Sequence, residues 1–265
     1  MNNQGTRGRG NSRDFNAPWR PGTAVPAAGR AQMPAPVPAP AQNLPADNTN
    51  YRGDLSNPRN QSANIPEEEN CATWWTNLPA NCTYQMLFDS MRNVGAISHA
   101  NINPPNGSHS TCAAKVELMD RASVERLWVQ AQARQIKVGG RVPTITMNRI
   151  RVPAQPNEHP PNQGNGGRGS RVLVVTGPPQ IVRRDRLEAI LGEGLNKVKY
   201  GLESATTSVL ADGRHQIEFR FASYIVQAVR ARGVFLAKKR SGDLSEEERA
   251  LWEGVVCQFG PDPCE

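Results

Sequence analysis

Proline, glycine and alanine decide where this chain can build a core. Residues 1–66 hold Pro, Gly, Asn, Ala and Arg with almost no aliphatic periodicity, and the tract "AQMPAPVPAPAQNLPADN" within them suits polyproline II. Such a stretch cannot bury enough apolar surface to offset its ordering entropy, so it reads as a disordered tail. Residues 153–170, "PAQPNEHPPNQGNGGRGS", repeat that character and read as a flexible linker. Of the 265 residues, two segments remain that can each form one modest core, 71–152 and 171–265.

The first segment opens on an alternating run, "ATWWTNL". Period-2 geometry puts Thr73, Trp75 and Asn77 on one side and Trp74, Thr76 and Leu78 on the other. Pro79 ends the strand, and Thr83 caps a helix in "YQMLFDSMRNVG". There Met86, Leu87, Met91 and Val94 recur at helical spacing until Gly95. "AISHANINP" reads as a strand, "PPNGSH" as a loop with an Asn-Gly turn, and "TCAAKVEL" as a strand with Ala114, Val116 and Leu118 on one face. Asp120 then opens a helix through Val124, Leu127, Trp128 and Ala131, and "VPTITMNRIRV" closes as a strand. The order β-α-β-β-α-β predicts an α+β ferredoxin-like plait: an antiparallel four-stranded sheet with two helices on one face.

The second segment repeats the order. "SRVLVVTGPP" is a strand, "VRRDRLEAILGEGL" a helix in which Arg184 and Glu188 can pair, and "KVKYGLESATTSVL" a strand. Asp212-Gly213 turns the chain into "HQIEFRF", where Ile217, Phe219 and Phe221 share one face. "SYIVQAVRARGVFLAKK" is a helix. "LSEEERALW" is a short extra one with a capping box at Ser245 and Glu248, and "GVVCQFGPDPC" holds the last strand.

"TWWTNL" resembles the first-strand motif of RNA recognition motifs (RRMs), and "CAAKVELMDRASVERL" resembles their third strand and second helix. The resemblance covers 71–152. It implies that the sheet face opposite the helices binds single-stranded RNA by stacking bases on aromatics of the two central strands. It places Trp74 at the stacking position of the first strand and Trp75 where an aliphatic core residue is usual. The two exposed aromatic positions of the third strand are held by Ala113 and Lys115, so one platform of the usual three is present. Lys115 would attract phosphate, and Asn77, beside Thr76, would shape the turn and hydrogen-bond a base. Arg149 and Arg151 would grip the backbone. Residues 171–265 resemble a divergent RRM, with Val174, Gln216 and Glu218 at the stacking places. The whole is similar to fungal proteins with tandem RRM-like domains. The implied function is non-catalytic binding of single-stranded RNA, led by the first domain with the second auxiliary. The alternative is a protein-interaction module on a degenerate RRM fold.

Charge agrees with a polyanionic partner without requiring one. The formal net charge is +7. Residues 71–152 carry nine Lys and Arg against four Asp and Glu, whereas 171–265 carry fourteen against thirteen. Arg183, Arg184, Arg186, Arg230, Arg232, Lys238, Lys239 and Arg240 cluster on the helices of the second segment, as a nucleic-acid patch or as solvated helix faces. "RGRG" and "NGGRG" are short Arg-Gly fragments of the kind that bind RNA loosely. Cys71, Cys82, Cys112, Cys257 and Cys264 are odd in number, and neither they nor the four histidines show metal-clip spacing. With no signal peptide and no long apolar run, the expected home is a reducing compartment, nucleus or cytoplasm. No phosphate loop, serine elbow or metal-binding helix is present, so no enzyme activity, cofactor, membrane contact or small-molecule substrate is expected.

Overall fold

The computed structural model describes residues 64–155, 169–194 and 201–265. Nearly all of the tail assigned to 1–66, including "RGRG", lies outside them, as does most of the linker assigned to 153–170. The first half runs β1 (Ala72–Leu78), α1 (Tyr84–Asp89), β2 (Ile97–Asn103), β3 (Cys112–Leu118), α2 (Arg121–Gln132) and β4 (Thr144–Met147). Its sheet is antiparallel with strand order β2-β3-β1-β4. The second half runs β5 (Val172–Gly177), α3 (Arg184–Gly194), β6 (Leu202–Val209), β7 (His215–Phe221), α4 (Val229–Lys239), α5 (Glu246–Glu253) and β8 (Val256–Phe259). Its order, β6-β7-β5-β8, is the same plait repeated. A π-helical turn, Tyr224–Ala228, leads into α4, and α5 is the expected extra helix.

Local chemistry places the element ends. Thr83 Oγ1 accepts from the Met86 amide and Asp120 from the Ser123 amide, so both helices of the first plait start on side-chain caps. Ser245 caps α5 through the Glu248 amide. The Glu248 carboxylate does not complete the box; it pairs with Arg186. The helix α1 is shorter than its periodicity predicts. It stops at Asp89, where the Ser90 hydroxyl donates to the Leu87 carbonyl at 2.7 Å. Met91 and Val94 are nonetheless fully buried, carried inward by an irregular turn in which Asn93 has a positive φ.

The first core joins Trp75, Leu78, Leu87, Phe88, Ile97, Ala114, Val116, Leu118, Val124 and Leu127. Leu78 therefore shares the helix-facing side with Trp75, not the open side with Trp74 as strict alternation predicts. The cause is a β-bulge between Trp75 and Leu78, with Asn77 at φ 61°, which inserts one residue and reverses the parity.

The two plaits are built into each other. Ala222 and Cys264 lie in the first core, and Ala96 and Met119 in the second. The Ala100 amide at the outer edge of β2 donates to the Ala222 carbonyl at 2.7 Å, and His99 bridges Ser223 as in an antiparallel pair. Gly201 lies so close to Tyr84 that a Cβ there would come within 2.4 Å of its ring. Residues 260–265 clasp both halves. The Asp262 carboxylate accepts from the Ile97 amide at 2.9 Å and from Arg171, while the Gly95 amide donates to the Cys264 carbonyl at 2.7 Å. Arg171 is fully buried, ion-paired to Asp262 and Glu203, with its guanidinium carbon 3.9 Å from the centre of the Phe88 ring. Burial opposes its charge, but Asp262, Cys264 and Glu203 outweigh that and raise its pKa.

Candidate nucleic-acid interface

Register fixes what the open face of the first sheet presents. Across the four strands, Asn101, Lys115, Trp74 and Thr146 stand in one row. Next to it lie the pairs Asn103–Ala113 and Thr76–Thr144, which meet at the β1 bulge. Opposed residues in antiparallel strands point to the same face, so these side chains form one surface. Trp74 is half-buried at its centre, and Thr76, Ala113 and Lys115 are half-buried around it. Trp75 points the other way into the core, where its indole N–H donates to Thr73 Oγ1 at 2.9 Å. That hydroxyl donates in turn to the Val116 carbonyl at 3.0 Å. Thr73 thus allows a tryptophan where an aliphatic residue would need no partner.

The remaining predicted residues sit at the two ends of β1. Asn77 is exposed at the bulge, and its side-chain amide donates to the Val142 carbonyl at 3.1 Å. It ties β1 to the residue after the Val138–Arg141 turn, and one of its two N–H donors is engaged there. Arg149 and Arg151 follow β4, at the end where β1 begins. Arg149 is exposed. Arg151 donates to the Ile65 carbonyl at 2.8 Å and lies 3.6 Å from the Glu67 carboxylate. The structure brings Trp74, Thr76, Ala113 and Lys115 together and sets Asn77, Arg149 and Arg151 apart from them.

Four polar residues of this face, Asn101, Asn103, Thr144 and Thr146, were absent from the predicted set, and so was Glu117. Glu117 shares its face with Lys115 two residues earlier on β3. The Lys115 ammonium lies 2.6 Å from its carboxylate. Parity alone would have found that residue; the asparagines needed the register of β2. His99 stands opposite Glu117. Burial lowers its pKa despite the Glu117 charge, and its Nδ1 has no hydrogen-bond partner among the described residues.

Strand order, element order and helices packed on one face of each sheet now agree for both halves. Each half is a ferredoxin-like plait. The face of the second plait is differently furnished. Val174, opposite Glu218 and Gln258, is 8% exposed, and Gly260 packs against Val172 and Val174. Glu218 is paired with Arg220 at 2.6 Å. The helical cations are largely engaged as well. Arg183 pairs with Asp185, Arg184 with Glu188 and Arg186 with Glu248. Arg232 donates to the Cys257 carbonyl, and Lys239 to those of Glu253 and Val255.

Among the described residues, no group of His, Cys, Asp or Glu could hold a metal ion, and no helix is long and apolar enough to cross a membrane. The five cysteines are free thiols. Burial pushes Cys71 up to about 11 and Cys257 and Cys264 up to about 12, so these three are protonated at neutral pH.

No family model and no curated protein matches this sequence. Solved structures of RNA-binding domains do match. The first two RRM domains of yeast poly(U) binding protein are 11% identical, with 72% of this chain and 99% of that chain covered and a TM-score of 0.27. RNA recognition domains 1 and 2 of Sex-lethal from Drosophila melanogaster are 15% identical, with 72% and 100% covered and a TM-score of 0.25. The RNA binding domain of Hrp1 in complex with RNA is 13% identical, with 73% and 98% covered and a TM-score of 0.25. At these values the likeness adds nothing to the fold assignment, which rests on topology.

Proposed function

We propose that this chain is a non-catalytic single-stranded RNA-binding protein that uses the open sheet of its first plait, residues 71–152. The observation that carries the reading is Trp74 at the centre of that sheet, beside Lys115 and among the uncharged hydrogen-bonding side chains of Asn101, Asn103, Thr144 and Thr146. An indole stacks on any base, and Asn101, Asn103, Thr144 and Thr146 offer amides and hydroxyls to base edges or sugars. The second plait, 171–265, is auxiliary: its face has no aromatic at the stacking places, and its acid and base groups are mutually paired. The chain would work in the nucleus or cytoplasm.

Anisotropy titration of the full chain with short labelled single-stranded RNAs tests this. Trp74→Ala should weaken saturable binding about 5- to 150-fold, the range of one base–aromatic stack. A variant that binds as the parent does, or a parent that does not bind at low salt, sinks the reading. DNA oligonucleotides of the same sequence separate RNA from DNA preference. The second reading, a protein-interaction module, is favoured by the Lys115–Glu117 pair, which removes net charge from the sheet floor. A protein co-purifying unchanged through nuclease treatment would support it.

A further inference from the structure

We propose that Glu117 is a built-in competitor for RNA phosphate at Lys115, and so sets how tightly the sheet face binds. This rests on the reading of that face as an RNA site. Lys115 is directly opposite Trp74 on the neighbouring strand, where a cation would meet the backbone of a nucleotide stacked on the indole. Its ammonium is instead 2.6 Å from Glu117 Oε1, and the two side chains are only 23% and 14% exposed. A pair so shielded from solvent is screened less by salt than a surface pair. Glu117 belongs to the sheet floor itself: it lies opposite Ala72 on β1 and His99 on β2. A phosphate reaching Lys115 must share the ammonium with a fixed carboxylate and also approach that carboxylate's negative charge. The pair therefore subtracts twice, once by occupying the cation and once by repelling the ligand.

The same titration, run over a salt series with the full-length parent, Glu117→Gln, Lys115→Met, the double variant and Trp74→Ala, decides the matter. Glu117→Gln should bind about fivefold tighter, with the salt slope steeper by about one phosphate contact. The gain should shrink in the double variant relative to Lys115→Met alone, because only the carboxylate's repulsion, and no cation, is left to release. Glu117→Thr, whose side chain suits a strand, repeats the neutralisation if the glutamine variant misfolds. Unchanged or weaker binding in both Glu117 variants, with Trp74→Ala still losing affinity, overturns the competitor role and leaves the sheet-face site standing. A parent that fails to bind, or that Trp74→Ala leaves unaffected, overturns the site and the competitor with it.

Discussion

Trp75 carries an indole N–H into a core, and one hydroxyl two residues away answers it. Thr73→Val leaves that N–H without its acceptor and strips the Val116 carbonyl of a donor, at nearly constant shape. The expected loss is about 1–3 kcal/mol, measured by urea denaturation. An unaltered midpoint would show that the indole finds another acceptor. That Trp74 and Trp75 face opposite sides of the sheet was legible in the sequence, because alternation along a strand is a local property. The Leu78 error has a local cause too: Asn77 tolerates a positive φ, and one bulged residue reverses every face after it. The Lys115–Glu117 pair was equally within reach, since both residues belong to one face of one strand.

At the scale of elements, β2 is an edge strand whose outer side is covered. Ala222 and Ser223 continue from β7 and take up the hydrogen-bonding positions that an exposed edge would offer to another chain. His99 is held at this junction, mostly buried, with Glu117 and Lys115 as the charges that act on it. Its folded pKa lies below the ordinary 6.5, so the unfolded chain takes up the proton first as pH falls. Stability from this group is complete above about pH 6.5 and declines as pH drops through the lowered folded value. Denaturant midpoints at pH 7.5 and 5.5 should separate, and His99→Gln should narrow the gap. An equal gap in parent and variant would place the acid sensitivity elsewhere. None of this junction was legible, because no pattern within β2 announces a partner beyond residue 220.

The molecule as a whole is held by charges the sequence scatters. Arg171, Glu203 and Asp262 carry no motif, and Asp262 also reaches Ile97, 165 positions away. Each plait can be read from its own periodicity; the joint between them cannot, since it depends on where two finished surfaces meet. Asp262→Ala leaves a buried guanidinium half-paired and the Ile97 amide without its acceptor. It should destabilise the folded chain by about 3–5 kcal/mol, read as a shifted or split urea transition. A single transition at the parent's midpoint would mean that the clasp contributes nothing net.

The clasp also sets a clock. Chains are made at about 5–20 residues per second, so the Ile97 amide is made on the order of ten to thirty seconds before Asp262 exists to receive its hydrogen bond. Through that interval Phe88 and the Gly95 turn stand without the Arg171 and Cys264 that later cover them, first for want of Arg171 and then of residues 260–265. The first plait is thus begun early and finished late, and the unfinished surface is what a newly made chain shows to its neighbours in the meantime.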